Sequence, residues 1–272
     1  MSLEQFSKAT REIAKNLRII DDALFRLIAE REGVCEEILR TLLNMPELVV
    51  VKVTAQSVVK SLHREVTLDA LCILDNEKYI NIEMQKSTDE DDVVRTRFHS
   101  AALTAAYTPK GTDFSDVPQV TVLYVTEYDA LKNGQPITHV KRCMETKEGF
   151  VPVDDKEDIF FANTVIKDGS DQSELLQLFL RRDAFNNAKF PRISEAIGYF
   201  KKTEGGNLKM CKSVENYARE YAKEYAKESK KMDHIEILQR MIRRGDNIQQ
   251  ILELGFTEDE YHEAESSLLT QV

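Results

Sequence analysis

Hydrophobic positions along residues 21–126 follow two spacings, one typical of helices and one typical of strands. Apolar residues within 21–44 recur every three or four positions and are interrupted at Gly33, which predicts two helices joined by a glycine turn. Residues 93–106 return to the helical spacing. Short runs rich in β-branched residues predict strands over 48–53, 66–74, 79–85 and 119–126. The predicted apolar side of the 93–106 helix consists of Val94, Phe98, Ala101, Ala102 and Ala105.

The order of these elements is helix, strand, strand, strand, helix, strand, which predicts an α/β fold with a mixed sheet in a three-layer core. A polar turn at 75–78 joins two strands into a hairpin, which we expect at the centre of the sheet with helices over both faces. Residues 127–200 have a weaker pattern. They predict a turn at Asn133–Gly134, a helix over 173–182 and another that starts at Pro191.

The pattern changes after Gly205–Gly206. Tyrosines four residues apart, at Tyr217, Tyr221 and Tyr225, predict a helix that projects or self-associates, and we interpret them as packing residues rather than as platforms for bases. Short helices are predicted over 235–242, over 248–254 and from a capping box at Thr257. We therefore predict two domains, 1–204 and a helical extension at 205–272.

Composition and charge narrow the class of protein. The chain has 272 residues, of which 42% are hydrophobic and 31% charged, as expected for a folded globular protein. Its apolar runs fall well short of the roughly 20 residues that span a bilayer, and the first residues lack an export pattern, so we predict a cytoplasmic protein without membrane contact. The four cysteines form no CxxC pair, which disfavours a zinc site or a disulfide framework.

The net charge of −10 argues against a surface that binds nucleic acid everywhere. Basic residues are nevertheless concentrated in 181–231, so a local contact with phosphates stays compatible with the sequence.

A single acid, Asp69, lies within the otherwise apolar strand predicted over 66–74. Burial of an unpaired carboxylate is costly, so a buried acid usually has a partner or a metal ion. An acid at a strand edge that faces solvent is the alternative interpretation.

The neighbouring strand supplies a second acid, Glu83. Strict alternation divides that strand between two faces, with Asn81, Glu83 and Gln85 on one and Ile80, Ile82 and Met84 on the other. The predicted hairpin turn places Asp69 opposite Met84, and a shift of one residue places it opposite Glu83. Cross-strand neighbours have Cβ atoms about 5 Å apart, so the two carboxylates would converge.

Two carboxylates this close repel each other unless a proton or a cation lies between them. Mg²⁺ prefers oxygen ligands and keeps several water molecules, so it suits Asp69 and Glu83 together with the main-chain carbonyl of Met84. Such an ion activates water and polarises a phosphodiester.

These residues resemble a known family. Asp69 followed by Glu83-Met84-Gln85 is similar to the D…(D/E)xK signature of the PD-(D/E)XK nucleases, in the variant with Gln in place of Lys. Further motifs extend the resemblance to the PD-(D/E)XK nuclease family transposases, relatives of the recombination-promoting nucleases. These motifs are Asp21-Asp22-Ala23-Leu24-Phe25, Asn81 to Gln85, Arg95 to Ser100, Gly111-Thr112-Asp113-Phe114, Gly134 to Ile137, Ser173 to Leu180 and Tyr217 to Glu228.

The resemblance implies a restriction-endonuclease-like core and Mg²⁺-dependent cleavage of DNA, with Mn²⁺ as a substitute, in a mobile element or in recombination. Asp69 and Glu83 are implied as metal ligands and catalytic residues, and Gln85 as the third catalytic position. Asp22 matches an acidic position on the first helix and is an additional acid that approaches the site. Gln can orient water by hydrogen bonding but lacks the charge of the usual Lys. The adjacent Lys86 has the wrong strand parity and is expected to face elsewhere.

The predicted helix over 93–106 carries further polar residues. Arg95 and Arg97 are candidates for phosphate contacts, and surface salt bridges are the alternative. Lys110, beside Gly111, is a candidate DNA contact or part of a loop turn. We interpret His99 as a helix-surface residue rather than a general base.

Three functions remain open at this point. The first is a DNA endonuclease, the second a catalytically weak or inactive nuclease relative that binds DNA or protein, and the third an RNA nuclease, because the signature selects a metal rather than a sugar. We expect a homodimer through the C-terminal helices, since one metal site cuts one strand and a double-strand cut needs two.

Overall fold

The computed structural model describes residues 2–60, 65–87 and 90–269. Spatial contacts divide the chain into two compact units, Met1–Val214 and Glu215–Val272. The predicted domain division after residue 204 stays a prediction. No helix in the described ranges combines the length and the apolar character that crossing a membrane requires.

The first unit contains a six-stranded sheet, a separate hairpin and most of the helices. Its helices are α1 (Lys8–Asn16), α2 (Asp22–Ala29), α3 (Val34–Leu42), α4 (Asp92–Ala106), α5 (Asp171–Phe179) and α6 (Pro191–Lys202). Its strands are β1 (Val50–Lys60), β2 (Glu65–Leu74), β3 (Tyr79–Gln85), β4 (Val120–Thr126), β5 (Ile137–Val140), β6 (Cys143–Thr146), β7 (Gly149–Pro152) and β8 (Glu157–Asn163).

The strand order β1-β2-β3-β4-β8-β5 makes a mixed sheet. β1, β2 and β3 pair antiparallel, β3, β4 and β8 pair parallel, and β5 returns antiparallel to β8. The predicted mixed α/β class is therefore confirmed. The sequence pattern did not predict β8, which lies between β4 and β5. The centre of the sheet is the pair β3–β4, so the prediction that the β2–β3 hairpin lies at the centre was wrong. The pair β6–β7 forms its own two-stranded sheet.

Helices cover both faces of the sheet and make three layers. The larger core lies between one face and helices α2, α3, α5 and α6, and it includes Leu24, Ile38, Ile80, Ile82, Leu123, Leu176 and Ile197. The smaller core lies under α4 and includes Leu68, Leu71, Ala102, Leu103 and Val120. Ile80, Ile82 and Met84 share the larger core, as the strict alternation of β3 predicts.

Helix α4 buries only part of the side that was predicted to face the sheet, because Ala102 is buried as predicted but Ala101 and Ala105 are exposed. Val94 and Phe98, which the hydrophobic spacing placed inside, are 57% and 38% exposed. The side that is buried is largely polar and includes Asp92, Thr96 and Ser100. The cause is the sheet beneath, because the face of β3 below α4 carries Asn81 and Glu83, and polar groups need polar neighbours.

Helix α7 (Glu204–Arg244) runs without interruption through Gly205–Gly206 and through the segment predicted as a separate helix over 235–242. In the second unit, α7 is followed by α8 (Ile248–Glu253) and α9 (Glu258–Leu269), and Leu238, Ile251 and Ala264 form a small core. The capping box predicted at the start of α9 is present. The Thr257 amide donates to Glu260 Oε2 at 2.9 Å, and the Glu260 amide donates to Thr257 Oγ1 at 3.2 Å.

The two glycines at the start of α7 make a matched pair for a test of packing. A Cβ on Gly206 would lie 2.2 Å from the Tyr199 carbonyl oxygen and 2.6 Å from Phe200 Cα, whereas a Cβ on Gly205 meets only Tyr199 Oη, at 3.5 Å. We expect Gly206→Ala to lower the free energy of unfolding by about 1–3 kcal/mol, because backbone must move. Gly205→Ala should raise it by roughly 0.5–1 kcal/mol through helix propensity. Urea unfolding of both variants measures the difference, and equal effects would contradict the close helix approach.

Candidate active site

The candidate site lies where β2 and β3 stop pairing through their main chains. The pairing runs from Ile73↔Tyr79 to Ala70↔Ile82, so the next residues in the same register are Asp69 and Glu83. Of the two registers that the sequence allowed, the structure has the one that sets these acids opposite each other. Here side chains replace the ladder, because the Met84 amide donates to Asp69 Oδ2 at 2.9 Å and the Asp69 amide to Glu83 Oε1 at 3.4 Å.

Glu83 is held from its own strand and is 8% exposed. The Asn81 carboxamide, two residues earlier on the same face, donates to Glu83 Oε1 at 2.7 Å, while the buried Asn81 Oδ1 has no hydrogen-bond partner among the described residues. The alternation of β3 predicted that these side chains share a face. Asn81 is a neutral donor, so a cation nearby would stabilise the buried carboxylate further.

Burial raises the pKa of Asp69 well above its usual value, and the neighbouring charges of Glu83 and then Asp22 raise it further. The Met84 amide and the Gln56 carboxamide act in the opposite direction through hydrogen bonds. Without a cation, the site therefore favours a proton on Asp69. Asp22 is the first residue of α2, and its effect on this pKa supports the approach predicted from the motif.

Sequence reasoning missed two neighbours of the acid pair. Gln56 in β1 donates from Nε2 to Asp69 Oδ1 at 3.3 Å, and no pattern in the sequence pointed to it. His99 is 12% exposed, so its interpretation as a helix-surface residue was wrong. Its Nδ1 lies 3.4 Å from Glu83 Oε1 and lacks a hydrogen-bond partner among the described residues. Pairing the polar side of α4 with the polar face of β3, instead of searching for its apolar side, would have predicted that His99 is buried.

Met84 and Gln85 occupy the end of β3. The Met84 amide points to β2, and in a strand the amide and carbonyl of one residue point to the same neighbour, so the Met84 carbonyl lies on the side of Asp69. Gln85 is two residues beyond Glu83 and donates from Nε2 to the Ser87 carbonyl at 2.6 Å. The structure thus places the Met84 carbonyl on the side of Asp69 and directs the Gln85 carboxamide to Ser87.

A cluster of ion pairs fixes the start of α2 beside these strand ends. Lys86 Nζ lies 2.9 Å from Asp21 Oδ1, the Arg18 amide donates to Asp21 Oδ2 at 2.7 Å, and the Arg18 guanidinium binds both Asp21 and Glu127. Burial acts to raise the pKa of Asp21, but the Arg18 amide and the Lys86 ammonium lower it below its usual value. This network anchors Asp21, the residue directly before Asp22.

The three predicted DNA contacts lie at different places on and beyond α4. Arg95 donates to Asp91 Oδ1 at 3.2 Å near the start of the helix, as the salt-bridge alternative proposed. Arg97 is exposed and lines a surface groove with Val93 and Arg142. Lys110 lies past the far end of α4, a helix about 22 Å long, so the structure separates it from Arg95.

The donor set fits a divalent cation with oxygen ligands. Among the described residues, His, Cys, Asp and Glu form no group of three or more that could hold a metal ion. Two carboxylates, Asp69 and Glu83, with a main-chain carbonyl at Met84 are instead the kind of partial set that Mg²⁺ accepts, because this ion keeps several waters. The excess of negative charge around Asp69 is the observation that supports the fit.

A mixed three-layer α/β core with an acidic pair on adjacent strands defines a restriction-endonuclease-like fold. The family model of the PD-(D/E)XK nuclease family transposases matches residues 22–181, more than half of the chain, and the chain belongs to this family. The resemblance read from the motifs is thereby confirmed. Asp22, Asp69, Glu83 and Gln85 lie within the matched range, and such nucleases generally use divalent metal ions. Searches of curated proteins and of solved structures found no match.

Stability should depend on pH through Asp69. Its pKa is raised in the folded state, so the folded protein binds a proton that the unfolded chain has lost, and stability falls as pH rises from about 4 through the raised pKa. Asp69→Asn removes this dependence. In EDTA between pH 5 and 8, we expect the free energy of unfolding of Asp69→Asn to rise relative to that of wild type. The difference should grow by up to about 1.4 kcal/mol for each pH unit below the raised pKa. Asp75→Asn, at an exposed acid of the same hairpin, is the control, and parallel curves for Asp69→Asn and wild type would contradict the assignment.

Proposed function

We propose that this protein is a Mg²⁺-dependent endodeoxyribonuclease that acts in a mobile element or in recombination. The observation that carries the proposal is the convergence of Asp69 and Glu83, each of which accepts an amide from the strand of the other. Membership of a transposase family with a nuclease core supports DNA as the substrate. Cleavage of RNA, and binding of DNA without cleavage, are outcomes of the same assay.

Asp69, Glu83 and the Met84 carbonyl would hold the ion, with Asp22 as an additional acid. When bound, Mg²⁺ or Mn²⁺ lowers the pKa of a water molecule and neutralises charge on the phosphodiester. The Asn81 carboxamide and the Met84 amide keep the two carboxylates directed at each other. Gln85, whose carboxamide donates to the Ser87 carbonyl in the structure, would orient the attacking water by hydrogen bonding once the ion is bound.

The surroundings of the site would position the DNA backbone. Arg95 and Arg97 lie on α4 within a turn of His99, so their guanidinium groups are on the helix that covers Glu83. Lys110 would contact phosphates further along the duplex, because it follows the distant end of α4. Because the chain has a net charge of −10, binding of DNA would depend on local contacts such as these rather than on the overall charge.

Removal of either acid should abolish cleavage. We expect Asp69→Ala and Glu83→Ala to reduce the rate of DNA cleavage in Mg²⁺ or Mn²⁺ by at least about 100-fold, because each removes a charged ligand of the ion. Glu77→Ala, at an exposed acid in the turn of the same hairpin, should cut as fast as wild type. Nicking of supercoiled plasmid, with an RNA of the same sequence in parallel, gives the rates.

Three outcomes separate the alternatives. If both acid variants cut at the rate of wild type, the site is elsewhere. If wild type binds Mn²⁺ and DNA but cuts neither substrate, the protein is an inactive nuclease relative that binds DNA. Preferential cleavage of the RNA would replace the DNA assignment.

Gln85 offers a test of the third signature position. Gln85→Lys adds a positive charge that can stabilise the developing phosphate charge, so we expect cleavage to hold or increase. Gln85→Leu removes the carboxamide without adding charge and should slow cleavage. Single-turnover rates at saturating metal compare the two variants, and a loss of activity in Gln85→Lys as large as in Gln85→Leu would remove Gln85 from the catalytic set.

A homodimer and a cytoplasmic location complete the proposal. Two copies would supply the two metal sites that a double-strand cut needs. Tyr221 and Tyr225 on α7 are 63% and 66% exposed and lie one helical turn apart, which supports a role for this helix in self-association.

A further inference from the structure

Gln56 has a backbone conformation that is unusual for its place in the fold. Its φ is +53°, in the left-handed region that residues other than Gly, Asn and Asp rarely adopt. Six described residues other than glycine have positive φ, and five of them lie in turns or loops: Asn44, Glu77, Glu90, Lys132 and Lys156. Gln56 lies inside strand β1.

Strands β1 and β2 both exchange faces at this point. Val53 and Ala70 lie against the larger core, whereas Val59 and Leu68 lie in the smaller core, although residues an even number apart share one face of a regular strand. β1 continues to Lys60, and the pairs on either side of Gln56 are Ala55↔Ala70 and Ser57↔Leu68, so the register does not change there. The register shift in β1 lies elsewhere, between Val50 and Lys52. The residue that faces Gln56 across the strands is Asp69.

The side chain of Gln56 makes a specific contact at this distortion. Gln56 Nε2 donates to Asp69 Oδ1 at 3.3 Å, while the Met84 amide donates to Oδ2 at 2.9 Å from the opposite side. Both oxygens of Asp69 are thereby fixed, one from each neighbouring strand. A carboxylate that is held at both oxygens keeps one orientation, as outer hydrogen-bond partners of metal ligands provide.

Residue choice at position 56 supports the same reading. Glycine would adopt the left-handed conformation with less strain but has no donor, and asparagine would adopt it readily but its carboxamide is one methylene shorter. A residue with a longer reach is present despite its backbone strain. Strain of this kind is often found at functional sites.

We propose that Gln56 is a positioning residue of the candidate active site, whose carboxamide orients Asp69 toward the metal ion. This inference rests on the proposed function of Asp69. The left-handed backbone at position 56 places the carboxamide against Asp69. This conformation costs stability, and it fixes the orientation of the proposed metal ligand.

Gln56→Gly distinguishes a structural role in β1 from the positioning of Asp69, because it relieves the backbone strain and removes the hydrogen-bond donor. We expect the Tm of the metal-free variant to equal or exceed that of wild type, and its Mn²⁺ affinity in calorimetry to fall about 10-fold or more. A residue with a merely structural role would show the reverse, a lower Tm with unchanged affinity. Either a clear fall in Tm or an unchanged affinity overturns the proposal.

Lys132→Gly is the matched control. Lys132 has the same φ of +53° but lies exposed in the loop between β4 and β5. Its variant should show a similar Tm and no change in Mn²⁺ affinity. Gln56→Leu keeps the strain and a similar volume but loses the donor, so its affinity should fall as in Gln56→Gly without the relief of strain.

Asp69→Ala, measured in the same calorimeter, distinguishes the failure of this inference from the failure of the proposed function. If Asp69→Ala leaves Mn²⁺ affinity unchanged, Asp69 is not a ligand and both fail. If Asp69→Ala weakens binding and Gln56→Gly does not, the metal site stands and only the role of Gln56 is wrong.

Discussion

The opening of the β2–β3 hairpin beyond Ala70 and Ile82 is the constraint on which the site depends. Two main-chain amides lose their usual acceptors there, and a buried amide without an acceptor costs about 1–3 kcal/mol. The carboxylates of Asp69 and Glu83 accept them instead. The proposed metal ligands are therefore also what completes the hydrogen bonding of the sheet, and their orientation is set by the backbone rather than by side-chain ion pairs.

The charges around this opening have two separate arrangements. Arg18 and Lys86 are engaged with Asp21 and Glu127 in the network that fixes the start of α2. Asp69, by contrast, accepts hydrogen bonds only from neutral donors among the described residues, so burial and its acidic neighbours raise its pKa. Nearby positive charge thus supports the scaffold, and the proposed cation would neutralise the negative charge of the site.

Local patterns predicted the part of the site that is local in sequence. The hairpin, the shared face of Asn81 and Glu83, and the isolation of Asp69 all follow from alternation within two adjacent strands. His99 and Gln56 could not be predicted in this way. The buried side of α4 includes polar residues because it covers polar strand residues, so hydrophobic spacing did not predict which side is buried. The composition of β1 does not indicate the left-handed conformation of Gln56. Both depend on contacts between distant segments.

The left-handed residue in β1 has a second consequence, for solubility. β1 is the outermost strand of the six-stranded sheet, and an outer strand offers a row of amides and carbonyls to which a strand of another molecule can add. The reversal of the backbone at Gln56 interrupts that row near its middle. The distortion that directs a side chain inward to Asp69 therefore also limits edge-to-edge aggregation through this side of the sheet.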